Sequence, residues 1–351
     1  MEDAPDTTVA GASVREPLHD AFGRPLRDLR ISLTDRCNLR CTYCMPREVF
    51  GPDYAFLPES RMLSFPDILR IARVFVQSGV QKVHLTGGEP LLRRGVETLV
   101  RDLVELAGVR EVAMTTNGVA LSASRAQRLR DHGLRRITIS LDALDDSIVR
   151  VMNGVGCPVS RVLEAISVAA AAGLAPVKIN MVVRRGVNDG EIEPMAEYFR
   201  GTGHILRFIE YMDVGHTNKW RRDEVVPAVE ILDRIGRRWP LEEVPPRHRG
   251  EVATRFRYVD GGGEIGVIAS VTRPFCSACG RARLSSEGML YTCLFADHGV
   301  DLTPALNSDR PQEELRLLLS GVWSGRVDRY SELRADAAPV ADRVEMSRIG
   351  G

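Results

Sequence analysis

From Leu29 to about Ile235 the chain alternates short apolar runs with amphipathic stretches, and few folds satisfy that pattern. The runs read as strands at Leu29–Leu33, Val83–Thr86, Glu111–Thr115, Arg136–Leu141, Val177–Val183 and Ile205–Tyr211. Between them, Pro66–Gln77, Val96–Leu106, Ser124–His132, Val159–Ala172 and Glu191–Arg200 read as helices. Their apolar residues recur three and four apart, as at Ile68, Ile71, Ala72 and Phe75. Gly79, Gly108, Gly133 and Gly173 stand where helices stop. Repetition of strand then helix dictates a parallel sheet with right-handed crossovers. Roughly six units fall short of the eight of a closed barrel. The expected fold is α/β, a partial (open) TIM-type barrel of about six βα units, ahead of a flat doubly wound sheet.

Polar residues follow the strands in this layout. Asp35 to Cys44 come after the first and Gly87-Gly88-Glu89-Pro90 after the second. Thr116-Asn117-Gly118 come after the third and Asp142 after the fourth, with Asn180 and Met212 toward the ends of the fifth and sixth. Parallel barrels build active sites at the carboxyl ends of their strands, so the reactive centre is expected on that rim.

Six of the seven cysteines fall into two triplets, Cys37, Cys41, Cys44 and Cys276, Cys279, Cys293. Structural zinc closes four ligands, and each triplet stops at three. The first reads C-x3-C-x2-C, with no further cysteine or histidine nearby. A four-iron cluster held by three thiolates keeps one iron free for a small molecule, which fits that deficit. The second, C-x2-C-x13-C, is open to two readings. His298 follows Cys293 by five residues and can close a zinc site with the three sulfurs. Cys157, beside Pro158, belongs to neither triplet and reads as a plain small residue.

The charges balance, 47 basic against 47 acidic, so net charge gives no argument for nucleic acid or membrane as a partner. No stretch approaches the ~20 apolar residues of a membrane span. The first residues carry no apolar run and read as a flexible arm, not a secretory signal. Thiolates that must stay reduced imply the cytoplasm. After Gly236 the pattern changes. Pro240, Pro245 and Pro246 with Arg247–Arg249 read as a linker or loop. Arg255–Val259 and Glu264–Ala269 read as a hairpin, and a helix is expected at Gln312–Leu319. The expected organisation is an arm over 1–24, the barrel over 25–236, a cluster- and substrate-binding region over 237–340 and a tail over 341–351.

The C-x3-C-x2-C loop after the first strand and the Gly-Gly-Glu-Pro after the second resemble the radical S-adenosylmethionine superfamily. The second triplet, the Arg281-Ala282-Arg283 run and the terminal Gly350-Gly351 narrow the resemblance to the GTP 3',8-cyclases of molybdenum cofactor biosynthesis. It runs from about Leu26 to Gly351. It implies two [4Fe-4S] clusters, one on each triplet, with the second in the C-terminal extension over the barrel mouth. It also implies S-adenosylmethionine as the source of a 5'-deoxyadenosyl radical. That radical would take the ribose C3' hydrogen of GTP, and C3' would close on guanine C8.

By the same resemblance Tyr43, Gly88, Ser140 and Met212 contact S-adenosylmethionine, with Glu89 or nearby carbonyls accepting from its ammonium. Arg30, His84, Thr115, Lys178, Arg281, Ala282 and Arg283 contact GTP. Arg30, Arg281, Arg283, Gly350 and Gly351 serve the radical steps. Arg281 and Arg283 lie two apart on an extended segment, so both can face one side and grip phosphate oxygens. The family usually has arginine where this chain has His84, whose charge in water depends on pH. A downstream cyclic pyranopterin monophosphate synthase is implied as a partner, the electron donor is left unidentified, and the chain is expected as a monomer or homodimer. Two other functions remain open on the residues: a radical enzyme that modifies peptides, and a non-catalytic metal-binding module.

Overall fold

The computed structural model describes residues 16–334 and 343–351. The expected arm lies outside the described residues up to position 15, and the expected tail at 341 and 342. Its strands are β1 Asp28–Ser32, β2 Lys82–Thr86, β3 Glu111–Thr116, β4 Arg136–Ser140, β5 Lys178–Val183 and β6 Ile205–Glu210. The helices between them are α1 Phe65–Gln77, α2 Val96–Val104, α3 Ala123–Asp131, α4 Asp146–Asn153, α5 Val159–Ala171 and α6 Ile192–Phe199, and α7 Ala228–Gly236 follows β6. The local chemistry is visible in α1. The Ser64 hydroxyl accepts from Asp67 N at its start, Pro66 sits in the first turn, and Ile68, Ile71, Ala72 and Phe75 are buried.

β1 to β6 pair in chain order and in parallel. The chain beyond residue 236 continues the same sheet. β9 Glu264–Ile268 runs parallel to β6, and β10 Arg281–Leu284 runs parallel to β1. Antiparallel strands then close each edge: β8 Thr254–Tyr258 and β7 Leu241–Val244 on one side, β11 Met289–Tyr291 and β12 Val300–Asp301 on the other. The result is an open barrel whose two free edges are each capped by a hairpin. After the short α8 Thr303–Leu306, the helix expected at Gln312–Leu319 is longer, α9 Pro311–Ser324.

Two expectations change. Leu241–Val244, inside the segment read as linker, is the edge strand β7. Proline is tolerated beside an edge strand, and Leu-Glu-Glu-Val lacks the alternation that would reveal one. Residues 16–24 are not a loose arm. Leu18 N donates to Ser78 O at 3.0 Å, and Arg24 is fully buried with its Nε on Asp20 at 2.6 Å. The helices bury one continuous apolar core against the outer face of the barrel, and Trp323 of α9 is at full burial within it. No helix among the described residues is long and apolar enough to cross a membrane.

Candidate active site

The inner face of the barrel is polar. Side chains alternate along each strand, so Val83 and Leu85 of β2 enter the core while Lys82, His84 and Thr86 turn inward. Asp28 and Arg30 of β1, Arg136 and Thr138 of β4, Lys178 and Asn180 of β5 and Arg207 of β6 do the same. Two cavities divide this interior. The first triplet lines one and the second triplet the other.

Cys37, Cys41 and Cys44 lie in the loop after β1, at the carboxyl end. The loop is pinned from both sides. Arg40 N and Thr42 N donate to the carbonyls of Asn153 and Met152 at 2.8 and 3.0 Å. The Arg40 guanidinium donates to the Cys37 and Leu39 carbonyls, each at 2.8 Å. Gly88 lets the end of β2 press against this loop, since a Cβ there would overlap the Arg36 carbonyl. Glu89 also lines this cavity, and most of its acceptor capacity is committed. Its oxygens accept from Thr116 Oγ1 at 2.6 Å, Asn117 N at 2.8 Å and Leu91 N at 3.0 Å, so the carboxylate ties β2 to β3. Tyr43, Gly88, Ser140 and Met212 all line this cavity. Tyr43 donates to Asp142 Oδ2 at 2.9 Å. Burial pushes the Asp142 carboxyl up to about 6, against the hydrogen bonds from Val182 N and Tyr43.

The second triplet stands at the other end. Gly280, just past Cys279, accepts from Arg27 N and Asp28 N at the start of β1. The second cage is therefore at the amino ends of the strands, not over the rim that carries the first. The expectation set it over the barrel mouth. β10 lies parallel to β1, and that fixes the segment entering it at the opposite end. A buried network holds this loop. Arg24 Nη1 donates to the Cys276 carbonyl at 2.8 Å, Arg326 Nη1 to the Cys279 carbonyl at 2.7 Å, and Asp20 accepts from both arginines.

His298 does not join the second triplet. Its side chain is 88% exposed, paired with Asp297 and away from the cavity wall. None of the six cysteines is in a disulfide. Among the described residues no three of His, Cys, Asp and Glu converge as ligands of a single ion do. Two sets of three soft donors, each spread along a cavity wall with no fourth partner, suit a polynuclear cluster with one open iron better than zinc. Cys157 lies at the edge of the first cavity, outside both sets.

The cavities share a wall made by Thr115, Asn180, Ile209, Met212, Leu294 and Gly351. Arg30, His84, Thr115, Lys178, Arg281 and Arg283 all face the cavity of the second triplet. Ala282 does not: it is fully buried on the outer side of β10. Arg30 and Arg283 donate to the carbonyls of Gly351 and Gly350, so the tail enters the barrel. A Cβ on Gly350, which has φ 74°, would overlap Thr86. Upstream, Arg343 donates to Asp213 Oδ2 at 2.9 Å, and Glu345 accepts from Thr217 N at 3.1 Å.

Lys82, Arg136 and Arg207 line the cavity and were not singled out from the sequence. Crowding marks the cluster. Lys178 is lowered to about 7 by burial and by Arg207, Arg136 and Lys82, and Arg207 to about 9 by burial and by Arg30 and Arg136. Arginine keeps its proton in proteins, so its depression reads as unmet demand for an anion. Two buried atoms facing this space, Arg207 Nε and Asn180 Oδ1, have no partner. His84 Nε2 lies 2.7 Å from Thr115 Oγ1, and burial with Arg30 and Lys82 holds its ring well below 6.5.

Two family models match the chain, one described as the radical SAM superfamily over residues 31–199 and one as Molybdenum Cofactor Synthesis C over 204–332. A GTP 3',8-cyclase of Acidothermus cellulolyticus is 52% identical over 344 residues, 96% of this chain and 95% of that protein. One from Xanthomonas axonopodis pv. citri is 49% identical, covering 95% of this chain and 99% of its own. One from Staphylococcus aureus is 45% identical, covering 96% and 99%. Among solved structures, SuiB of Streptococcus suis overlays with TM-score 0.58 at 16% identity, over 86% of this chain and 67% of that one, a likeness of fold.

Proposed function

The chain belongs to the GTP 3',8-cyclase family within the radical S-adenosylmethionine superfamily, and from that premise we propose how its residues carry GTP to (8S)-3',8-cyclo-7,8-dihydroguanosine 5'-triphosphate, the first step of molybdenum cofactor biosynthesis. The observation that carries the reading is the shared wall between the two cysteine cages. Cys37, Cys41 and Cys44 would hold one four-iron cluster, and Cys276, Cys279 and Cys293 the other. When bound, the first cluster with S-adenosylmethionine supplies the 5'-deoxyadenosyl radical.

The protein's part is placement. Tyr43, Gly88, Ser140 and Met212 frame the S-adenosylmethionine cavity at the carboxyl end. Thr115 and Asn180 stand on the shared wall, where ribose meets radical. Purine lies toward the second cage. The triphosphate lies along Arg30, Lys82, Lys178, Arg207, Arg281 and Arg283, whose guanidinium forks and ammonium groups suit phosphate. A radical takes any hydrogen within reach, so fixed geometry and exclusion of water select the C3' position. Gly350 and Gly351 fill the remaining space, where a side chain would collide with Thr86. A cationic interior of this size answers to a polyanion, which sets aside a peptide substrate. The cytoplasm fits thiolates that must stay reduced. The test is anaerobic: protein reconstituted with iron and sulfide is incubated with GTP, S-adenosylmethionine and dithionite. About eight irons per chain and a GTP-dependent cyclised nucleotide are expected. Zinc at both cages, or 5'-deoxyadenosine without a guanosine product, would overturn the reading.

A further inference from the structure

We propose that Arg136 is a triphosphate-binding residue of this enzyme and takes over the charge that position 84 lacks; the inference rests on GTP being the substrate. His84, Ala113 and Arg136 stand in register on three neighbouring strands. Neighbouring strands lie about 4.8 Å apart. Both outer side chains line the cavity, and only the Ala113 methyl stands between them. His84 brings no charge of its own. It is buried, its Nε2 is engaged with Thr115, and the surrounding cations keep it neutral.

Arg136 is held in place without being used up. Glu111 Oε2 accepts from its Nη2 at 2.5 Å, and the same carboxylate faces Lys82 Nζ at 3.4 Å. Glu111 stays off the cavity wall, so one carboxylate fixes two cations that are on it. Among the described residues the Arg136 guanidinium makes this one hydrogen bond, and its side chain remains 28% exposed. Arg136 lines the same space as the first residues of β1, β2 and β5: Asp28, Lys82 and Lys178. A fork with free donors, beside two ammonium groups, is a phosphate site by its chemistry. A long arginine from β4 thus covers the ground that an arginine at position 84 would have covered from β2.

The test uses the full chain, reconstituted anaerobically, and measures affinity for GTP, GDP and GMP by calorimetry. Arg136→Gln is expected to weaken GTP roughly ten- to hundredfold, the range for a hydrogen bond to a charged group, and GMP by less than about threefold. Arg136→Lys keeps charge but loses the fork and should fall between. His84→Arg placed in the Arg136→Gln background should recover most of the loss, whereas a merely damaged barrel would not recover. Equal weakening of all three nucleotides, no weakening, or no recovery overturns the inference while the substrate stands. An unaltered protein that bound no GTP would bring down the substrate and the inference together.

Discussion

Lys178 gives the most quantitative test of the cationic chamber. Its ammonium is lowered from 10.5 to about 7 because burial and four neighbouring cations disfavour the charged form. At pH 8 only about a tenth of the ligand-free protein then carries that charge. A triphosphate beside it reverses the balance and restores the proton. Binding at pH 8 should therefore take up about 0.9 proton per chain, and affinity should fall toward tenfold per pH unit above 7. The window is clean because the terminal phosphate of free GTP is already ionised there. Calorimetry of GTP binding in buffers of different ionisation enthalpy reads the uptake directly. Lys178→Arg keeps the charge at every pH, so its uptake should vanish and its profile from pH 7 to 9 should flatten. Zero uptake by the unaltered protein, or unchanged uptake in Lys178→Arg, would refute the account of a chamber waiting for an anion.

Other outcomes follow from the same geometry. The His84 ring is depressed below its unfolded value of 6.5, so the unfolded chain binds the extra proton first. The stability it contributes is complete above 6.5 and is lost as pH falls toward the folded value. His84→Gln should remove that acid-side slope in chemical denaturation, and the unaltered protein should show no His84-dependent change in GTP affinity between about pH 7 and 8.5. Deleting Gly350 and Gly351 should abolish cyclisation with both clusters still loaded, read by iron content and product analysis; full activity would contradict the placement of the tail. Arg24→Ala strips Asp20 and the Cys276 and Asp328 carbonyls of a buried partner. It should cost about 3 kcal/mol or more in denaturation, with iron lost first from the second cage, and a cost below about 1 kcal/mol would contradict the network.

The barrel strands and their helices were legible because apolar period and glycine stops are local signals. Each observed strand from β1 to β6 lies within a residue or so of its expected bounds. Both triplets were legible because cysteine spacing is chemically specific. Placement of the second cage was not. It depends on β10 lying beside β1, a pairing between residues some 250 positions apart that no local pattern announces. Asp20, Arg24 and Arg326 were hidden for the same reason. Lys82, Arg136 and Arg207 were hidden differently, because the signal was present. A parallel strand buried on both faces reads as continuously apolar. Lys82-Val83-His84-Leu85-Thr86 and Arg136-Ile137-Thr138-Ile139-Ser140 instead alternate, which in a barrel means a polar interior.

The same barrel geometry lets one sheet serve two clusters. A five-residue strand spans roughly 17 Å, enough to separate the cages at its two ends. Each cage therefore keeps its own loop and its own supports: Arg40 and Asn117 for the first, Arg24 and Arg326 for the second. The substrate is the only element required to reach both, and a nucleoside triphosphate is long enough to do so while its phosphates stay with the cations. An empty chamber of like charges is unfavourable, and the tail carbonyls relieve part of that by accepting from Arg30 and Arg283. The same two arginines thus hold Gly350 and Gly351 and line the proposed nucleotide chamber. A variant that loosens the tail should consequently change GTP affinity as well as turnover. If instead the Gly350-Gly351 deletion left GTP affinity untouched, those two arginines would be tail anchors alone, and the triphosphate would rest on Lys82, Arg136, Lys178, Arg207 and Arg281.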